Sequence, residues 1–246
     1  MSPVQTYTYP VRAYHTDAEG RLFVHQLVNF LQDAAHNHAD SLGFGQQQLV
    51  QENLFWVLSR LSVEIGPLPR QGEELCLSTW VKSIRGSVSE REFVLAKDGR
   101  VVARASSLWF CLAAGTHKPC RLPVHYAELM PVKPEYATTR GAEKVKAPVE
   151  EGNKKGITVT ARYTDIDTVD HINNATYVRW LTDGLYAAGY RPHQISRLAI
   201  NYLSEGFLGE EYRVTEAAIL SGKHLHEVVN TASGRVICRA VTCWQA

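Results

Sequence analysis

Val24-His25-Gln26-Leu27-Val28-Asn29-Phe30-Leu31-Gln32-Asp33-Ala34-Ala35-His36-Asn37-His38-Ala39-Asp40-Ser41-Leu42 sets Leu27, Phe30, Leu31, Ala34 and Ala35 three and four residues apart and is stopped by Gly43. That spacing predicts an amphipathic α-helix with one apolar stripe. His36 and His38 are read onto its polar face; with no paired carboxylate nearby they predict no metal site. Upstream, residues 7–14 read as a short strand. Downstream, the runs at 54–65, 74–84, 88–96 and 101–113 are strand-like, and Asp98-Gly99 between the last two is a tight-hairpin signal.

The same order then recurs. A strand is expected at 157–163, a helix at 173–188, and strands near 195–204, 211–220, 224–231 and 235–244, with Ser221-Gly222 and Ser233-Gly234 as turns. Two copies of one unit are expected, at 1–123 and 157–246. The segment 124–156 between them is rich in Pro, Lys, Glu and Gly and reads as a surface linker. A long helix followed by antiparallel strands is an α+β pattern in which a curved sheet wraps the helix. Two such units in tandem, their sheets side by side, make a double hotdog.

Composition removes several function classes. With 246 residues, 45% of them hydrophobic, the chain can build a real core, and a formal charge of +1 gives no global field for nucleic acid or an anionic membrane. No apolar run approaches the roughly 20 residues of a membrane span. The opening Met1-Ser-Pro-Val-Gln-Thr-Tyr lacks the marks of a secretion or organelle leader, so a cytoplasmic location is expected. Cys76, Cys111, Cys120, Cys238 and Cys243 are odd in number, lack metal-finger spacing, and are expected as reduced core thiols.

Chemistry concentrates in Arg162-Tyr-Thr-Asp165-Ile-Asp167-Thr-Val169-Asp170-His171-Ile-Asn173-Asn174-Ala-Thr-Tyr177, which brings three carboxylates, an imidazole and two carboxamides to a helix entry. These residues suit a capped N-terminus, with Asp170 or Asn173 as the cap. They equally suit an anion-stabilising site, because free backbone N–H groups at a helix start are donors for an oxyanion. A thioester asks for little more than such donors and a carboxylate: its thiol leaving group, with a pKa of ~8.5, departs with little acid assistance. No Gly-x-Ser-x-Gly elbow is present to suggest an α/β-hydrolase.

Asp167-x-x-x-His171-x-Asn173-Asn174-x-x-Tyr177 resembles the signature of hotdog acyl thioesterases, and the wider chain resembles the acyl-acyl carrier protein thioesterases of fatty-acid synthesis. Leu31-Gln32-Asp33-Ala34-Ala35-His36-Asn37-His38, Asn53-Leu54-Phe55-Trp56-Val57-Leu58-Ser59-Arg60 and Arg104-Ala-Ser-Ser-Leu-Trp109 carry the resemblance into the first half. It implies hydrolysis of fatty acyl carrier protein to free fatty acid, with no cofactor. It also implies Asp167, His171 and Glu205 as catalytic residues, Glu205 by its place in Tyr202-Leu-Ser-Glu205-Gly206.

Where the family has a catalytic asparagine this chain has Val169, whose side chain neither donates nor accepts. Asn173, Asn174 and the backbone N–H groups of residues 170–172 are the candidates to replace it. Glu205 is followed by Gly206 where a nucleophilic cysteine has been proposed in such enzymes. The acyl tunnel is expected in the first unit, with Phe30, Phe55, Trp56 and Trp109 as candidate walls. An acidic carrier protein would dock on a basic patch drawn from Arg12, Arg21, Lys82, Arg85 and Arg91, and a homodimer follows family habit. An acyl-CoA thioesterase and a non-catalytic acyl-thioester-binding hotdog protein are the alternatives, Val169 favouring the second.

Overall fold

Two long helices lie side by side against a single ten-stranded antiparallel sheet in the computed structural model, which describes residues 2–124, 126, 130–147, 155–219 and 222–244. The first half supplies β1 (Val4–Pro10), α1 (Val24–Ser41), α2 (Gln46–Gln51), β2 (Leu54–Ile65), β3 (Glu74–Arg85), β4 (Val88–Lys97) and β5 (Arg100–Ala113). The second supplies β6 (Lys155–Thr160), α3 (Asn174–Ala187), β7 (Ile195–Tyr202), β8 (Glu211–Ile219), β9 (Lys223–Asn230) and β10 (Val236–Trp244). The strand order β1-β3-β4-β5-β2-β7-β10-β9-β8-β6 is a mirrored repeat. This is the double hotdog that the element order implied, and β2–β7 is its seam, running from Arg60 opposite Asn201 to Glu64 opposite Arg197.

Burial explains why each helix sits where it does. On α1, Leu27, Phe30, Leu31, Ala34 and Ala35 are buried, as are Tyr177, Val178, Trp180, Leu181 and Leu185 on α3. All belong to one apolar cluster shared with strands of both halves, so the core is continuous across the seam. Asp98 and Gly99 take the left-handed conformation (φ 48° and 75°) that closes the tight turn between β4 and β5. Gly222 is also left-handed, while Ser221 of that expected turn lies outside the described residues.

Several expectations are corrected. The strands expected at 7–14 and 157–163 end at Pro10 and Thr160, because Ala13–His15 and Tyr163–Asp165 are 3-10 turns. His38 is wholly buried: it lies four residues beyond Ala34, on the apolar stripe, and Arg91 donates to its Nδ1 at 2.8 Å. Burial lowers its pKa to about 4, with Arg91 adding to the effect. His36 is exposed, as expected. All five cysteines are free, but only Cys111 and Cys238 are buried, and Cys76 is exposed.

Residues 130–147 form a strap that crosses the sheet in strand order. Trp80 of β3 donates its Nε1–H to the Glu135 carbonyl (3.1 Å), and Glu92 of β4 accepts from the Ala137 N–H (2.9 Å). Ser106 of β5 meets the Thr138 hydroxyl, Ser62 and Glu64 of β2 accept from Glu143 and Thr139, and Asn201 of β7 both accepts from Val145 and donates to Glu143. Extended backbone lying on a sheet face must have its polar groups met, and this row of strand side chains meets them. Residues 148–154 of the expected linker lie outside the described residues.

Candidate active site

The segment expected to carry chemistry folds as a tight loop between β6 and α3. Ile166 and Ile172 bridge across it, the Asp167 N–H donates to the His171 carbonyl (2.8 Å), and Asp170 takes φ 61° at its tip. Asp167 closes this loop from within: its Oδ1 accepts from the N–H groups of Val169 (3.0 Å) and His171 (3.3 Å). Asp165 is buried, accepts from the Arg162 N–H at 2.8 Å, and pairs with Arg179 of α3, which makes it a brace for the loop.

The backbone donors expected for an oxyanion are engaged elsewhere. Asp170 N–H donates to the Asp167 carbonyl, His171 N–H to Asp167 Oδ1, and Ile172 N–H to the Gly206 carbonyl. The last of these bonds, 2.9 Å long, ties the loop to the segment after β7 that carries Glu205. Gly206 has no room for a side chain there: a Cβ would stand 2.6 Å from Tyr212 Oη and 2.7 Å from Tyr177 Oη.

Glu205 faces two imidazoles, one from each half of the chain. His171 Nε2 is 3.7 Å from Oε2, and His117 Nδ1, from the turn after β5, is 3.7 Å from Oε1. His171 rests edge-on against Phe207 (5.3 Å between ring centres), and His117 likewise against Phe55 (5.5 Å). His171 and Glu205 are among the residues expected here; His117 is not. Nothing within the run Ala113-Ala114-Gly115-Thr116-His117-Lys118 marks it; only the pairing of β2 with both β5 and β7 brings that turn to Glu205.

Asn173 is the N-cap of α3, its Oδ1 accepting from the Ala175 N–H at 2.8 Å. The same oxygen accepts from Gln32 Nε2 (3.2 Å), and Asn174 Nδ2 donates to Gln32 Oε1 (3.1 Å). One carboxamide on α1 therefore clamps both asparagines at the start of α3. These bonds commit the Asn173 oxygen and one Asn174 donor to joining the helices. Val169 is 47% exposed, and what this residue gives the loop is its N–H.

The candidate wall residues separate. Phe30 is buried in the main core and stacked on Tyr9, with ring centres 4.8 Å apart, and Trp109 packs against the same core. Phe55 and Trp56 are neighbours on one strand and so point to opposite faces. Trp56 packs against the secondary core cluster that contains Phe44, Leu49 and Leu54, whereas Phe55 lies beside His117. The expected docking patch loses two members to burial: Arg91 is 5% exposed and Lys82 is paired with Glu90 (2.7 Å) beneath Tyr136. Arg21 is held by Asp17 and Glu19, while Arg12 and Arg85 are exposed. Among the described residues, no helix is long and apolar enough to cross a membrane.

Residues 3–130 match the family model of the acyl-ACP thioesterase N-terminal domain, and residues 146–246 that of the C-terminal domain. A chloroplastic palmitoyl-acyl carrier protein thioesterase of Gossypium hirsutum is 25% identical over 90% of this chain and 56% of its own length. An oleoyl-acyl carrier protein thioesterase of Arabidopsis thaliana is also 25% identical, over 80% and 59%. The chain spans about half the length of the curated relatives it matches. Among solved structures, an acyl-ACP thioesterase from Bacteroides thetaiotaomicron superposes with a TM-score of 0.86 at 28% identity, covering both chains fully. A 12:0-ACP thioesterase from Umbellularia californica shares the fold, with a TM-score of 0.84 at 21% identity over 100% and 98% of the two chains.

Proposed function

The chain belongs to the acyl-ACP thioesterase family, and on that premise we propose that it hydrolyses fatty acyl-acyl carrier protein to free fatty acid and holo carrier protein, with Asp167, His171 and Glu205 as catalytic residues. The observation that carries this reading is the convergence of the Asp167–His171 loop with Glu205, held together by the Ile172–Gly206 backbone bond. With Oδ1 of Asp167 fixed by two N–H donors, Oδ2 is the oxygen that attacks the thioester carbonyl or holds the water that does. Glu205 takes the proton of that water, or, where the carboxylate itself attacks, of the water that then cleaves the Asp167–acyl anhydride to free fatty acid, and His171 hydrogen-bonds the carboxylates or the substrate carbonyl. The thiolate then leaves unaided, its conjugate acid having a pKa of ~8.5. Phe55, beside His117, supports an acyl chain that enters from the first half.

The experiment is free-thiol release from a ladder of acyl-carrier-protein chain lengths, run with the Glu205→Gln variant and with the same acyl groups on CoA. Release by the wild type, cut about 100-fold or more by the variant, supports the reading. Silence on every carrier protein sinks it, and faster release from CoA than from carrier protein moves the activity to acyl-CoA.

A further inference from the structure

The turn that carries His117 is built as though for a glycine. His117 sits at φ 54°, its N–H donates to the Ala113 carbonyl (2.8 Å), and the Lys118 carbonyl accepts from Ala113 (3.0 Å) to close the turn. Glycine holds such a left-handed position without steric cost, whereas a histidine there places an imidazole at some expense. The ring is braced edge-on by Phe55, and its Nδ1 faces one oxygen of a carboxylate whose other oxygen faces His171.

We propose that His117 is a positioning residue of the reacting centre: its Nδ1–H, offered from the first half of the chain, orients the Glu205 carboxylate so that the other oxygen faces His171 and the attacking water. The inference rests on the thioesterase reading and extends it across the seam. The separation of 3.7 Å closes to a hydrogen bond through a small rotation of either side chain, and catalytic hydrogen bonds commonly tighten around bound substrate. A carboxylate left to rotate samples orientations that do not reach the water, and misplacement of that size lowers the rate without weakening substrate binding. His117 acts through Glu205 and touches no reacting atom.

Three substitutions at this position separate the roles. His117→Gly relieves the backbone and removes only the side chain. His117→Asn puts an amide donor near the place of Nδ1, and His117→Asp, of the same shape, offers an oxygen in place of that donor; both tolerate the left-handed backbone. With acyl-carrier-protein as substrate, the glycine and aspartate variants are expected to lose kcat on the order of ten-fold. KM should stay within about two-fold, and asparagine should restore kcat to within about three-fold.

If the wild type releases no thiol, the thioesterase reading itself falls. If the wild type is active, equal kcat for the asparagine and aspartate variants overturns the role of His117. So does a glycine variant at wild-type kcat, or a loss confined to KM.

Discussion

Residues 12–24 and 162–174 are one backbone carrying two sets of side chains. In each a 3-10 turn leads to a short bridge, Thr16 to Leu22 or Ile166 to Ile172, and an aspartate N–H donates 2.8 Å to the carbonyl four residues on. Each aspartate accepts two backbone N–H groups on Oδ1: Asp17 from Glu19 and Arg21, Asp167 from Val169 and His171. The difference lies at the other oxygen. Arg21 donates its Nε–H to Asp17 Oδ2 at 3.1 Å and also pairs with Glu19, so the first loop is electrostatically closed. At the Arg21 position the second loop has His171, which turns to Glu205 instead. A shared scaffold thus serves as a brace in one half and as the proposed centre in the other, according to whether one carboxylate oxygen is neutralised.

The sharpest way to break this contrast is to make the same substitution twice. Asp167→Asn should lower turnover by about 100-fold or more with little change in Tm, and Asp17→Asn should leave turnover within about two-fold. Comparable losses at both positions, read by thiol release, would erase the distinction. Copying the first loop into the second is the next test: His171→Arg should capture Asp167 as Arg21 captures Asp17, cutting kcat on the order of ten-fold or more while Tm holds or rises. An active His171→Arg enzyme would show that a free Oδ2 is not what matters.

The remaining tests read stability. Burial pushes the Asp17 carboxyl up, but the bonds from Arg21 and Glu19 outweigh it and hold its pKa below the usual 3.8. A folded-state pKa below the unfolded one means a contribution fully present above 3.8 and lost as pH falls through the lower folded value. Asp17→Asn should therefore cost about 1 kcal/mol at pH 7 and progressively less in acid, measured by urea unfolding across pH. The smallest effect concerns the helix starts: Phe23 begins α1 with no side-chain cap, whereas Asn173 caps α3 at nearly the same backbone angles. Phe23→Asn should add roughly 0.5–1 kcal/mol without touching turnover, and a fall in Tm would show that the Phe23 ring stacked on His25 outweighs the cap.

Much of the fold was legible because it is local. The strand-like run of β2, the Asp98-Gly99 turn and the stripe of α1 each depend on neighbours in sequence, and their bounds agree with expectation to within a residue or two. What was not legible depends on long-range contact. Gln46-Gln-Gln-Leu-Val-Gln51 has too short a pattern to announce α2, which packs Leu49 into a secondary core cluster. The strap has no period of its own; its signal is a scatter of polar residues at Ser62, Glu64, Glu92, Ser106 and Asn201 on strands far apart in the chain. The candidate site divides in the same way. Asp167 and His171 stand out because they share one short loop, whereas Gln32 and His117 reach it only through tertiary structure.

The strap also fixes how the molecule comes apart. Its bonds run from Trp80 to Asn201, touching strands on both sides of the β2–β7 seam. Peeling either half away would unseat the strap and strand buried polar groups: the Asn201 carboxamide would lose the Val145 N–H and the Glu143 carbonyl, and Glu92, which burial has already pushed to a pKa of about 7, would lose the Ala137 N–H and keep only the Ser106 hydroxyl of the neighbouring strand. Two tandem copies of one unit suggest two melting events. A shared seam, a continuous core and a strap laid over both make them a single cooperative unit, expected to give one calorimetric transition whose van't Hoff and measured enthalpies agree.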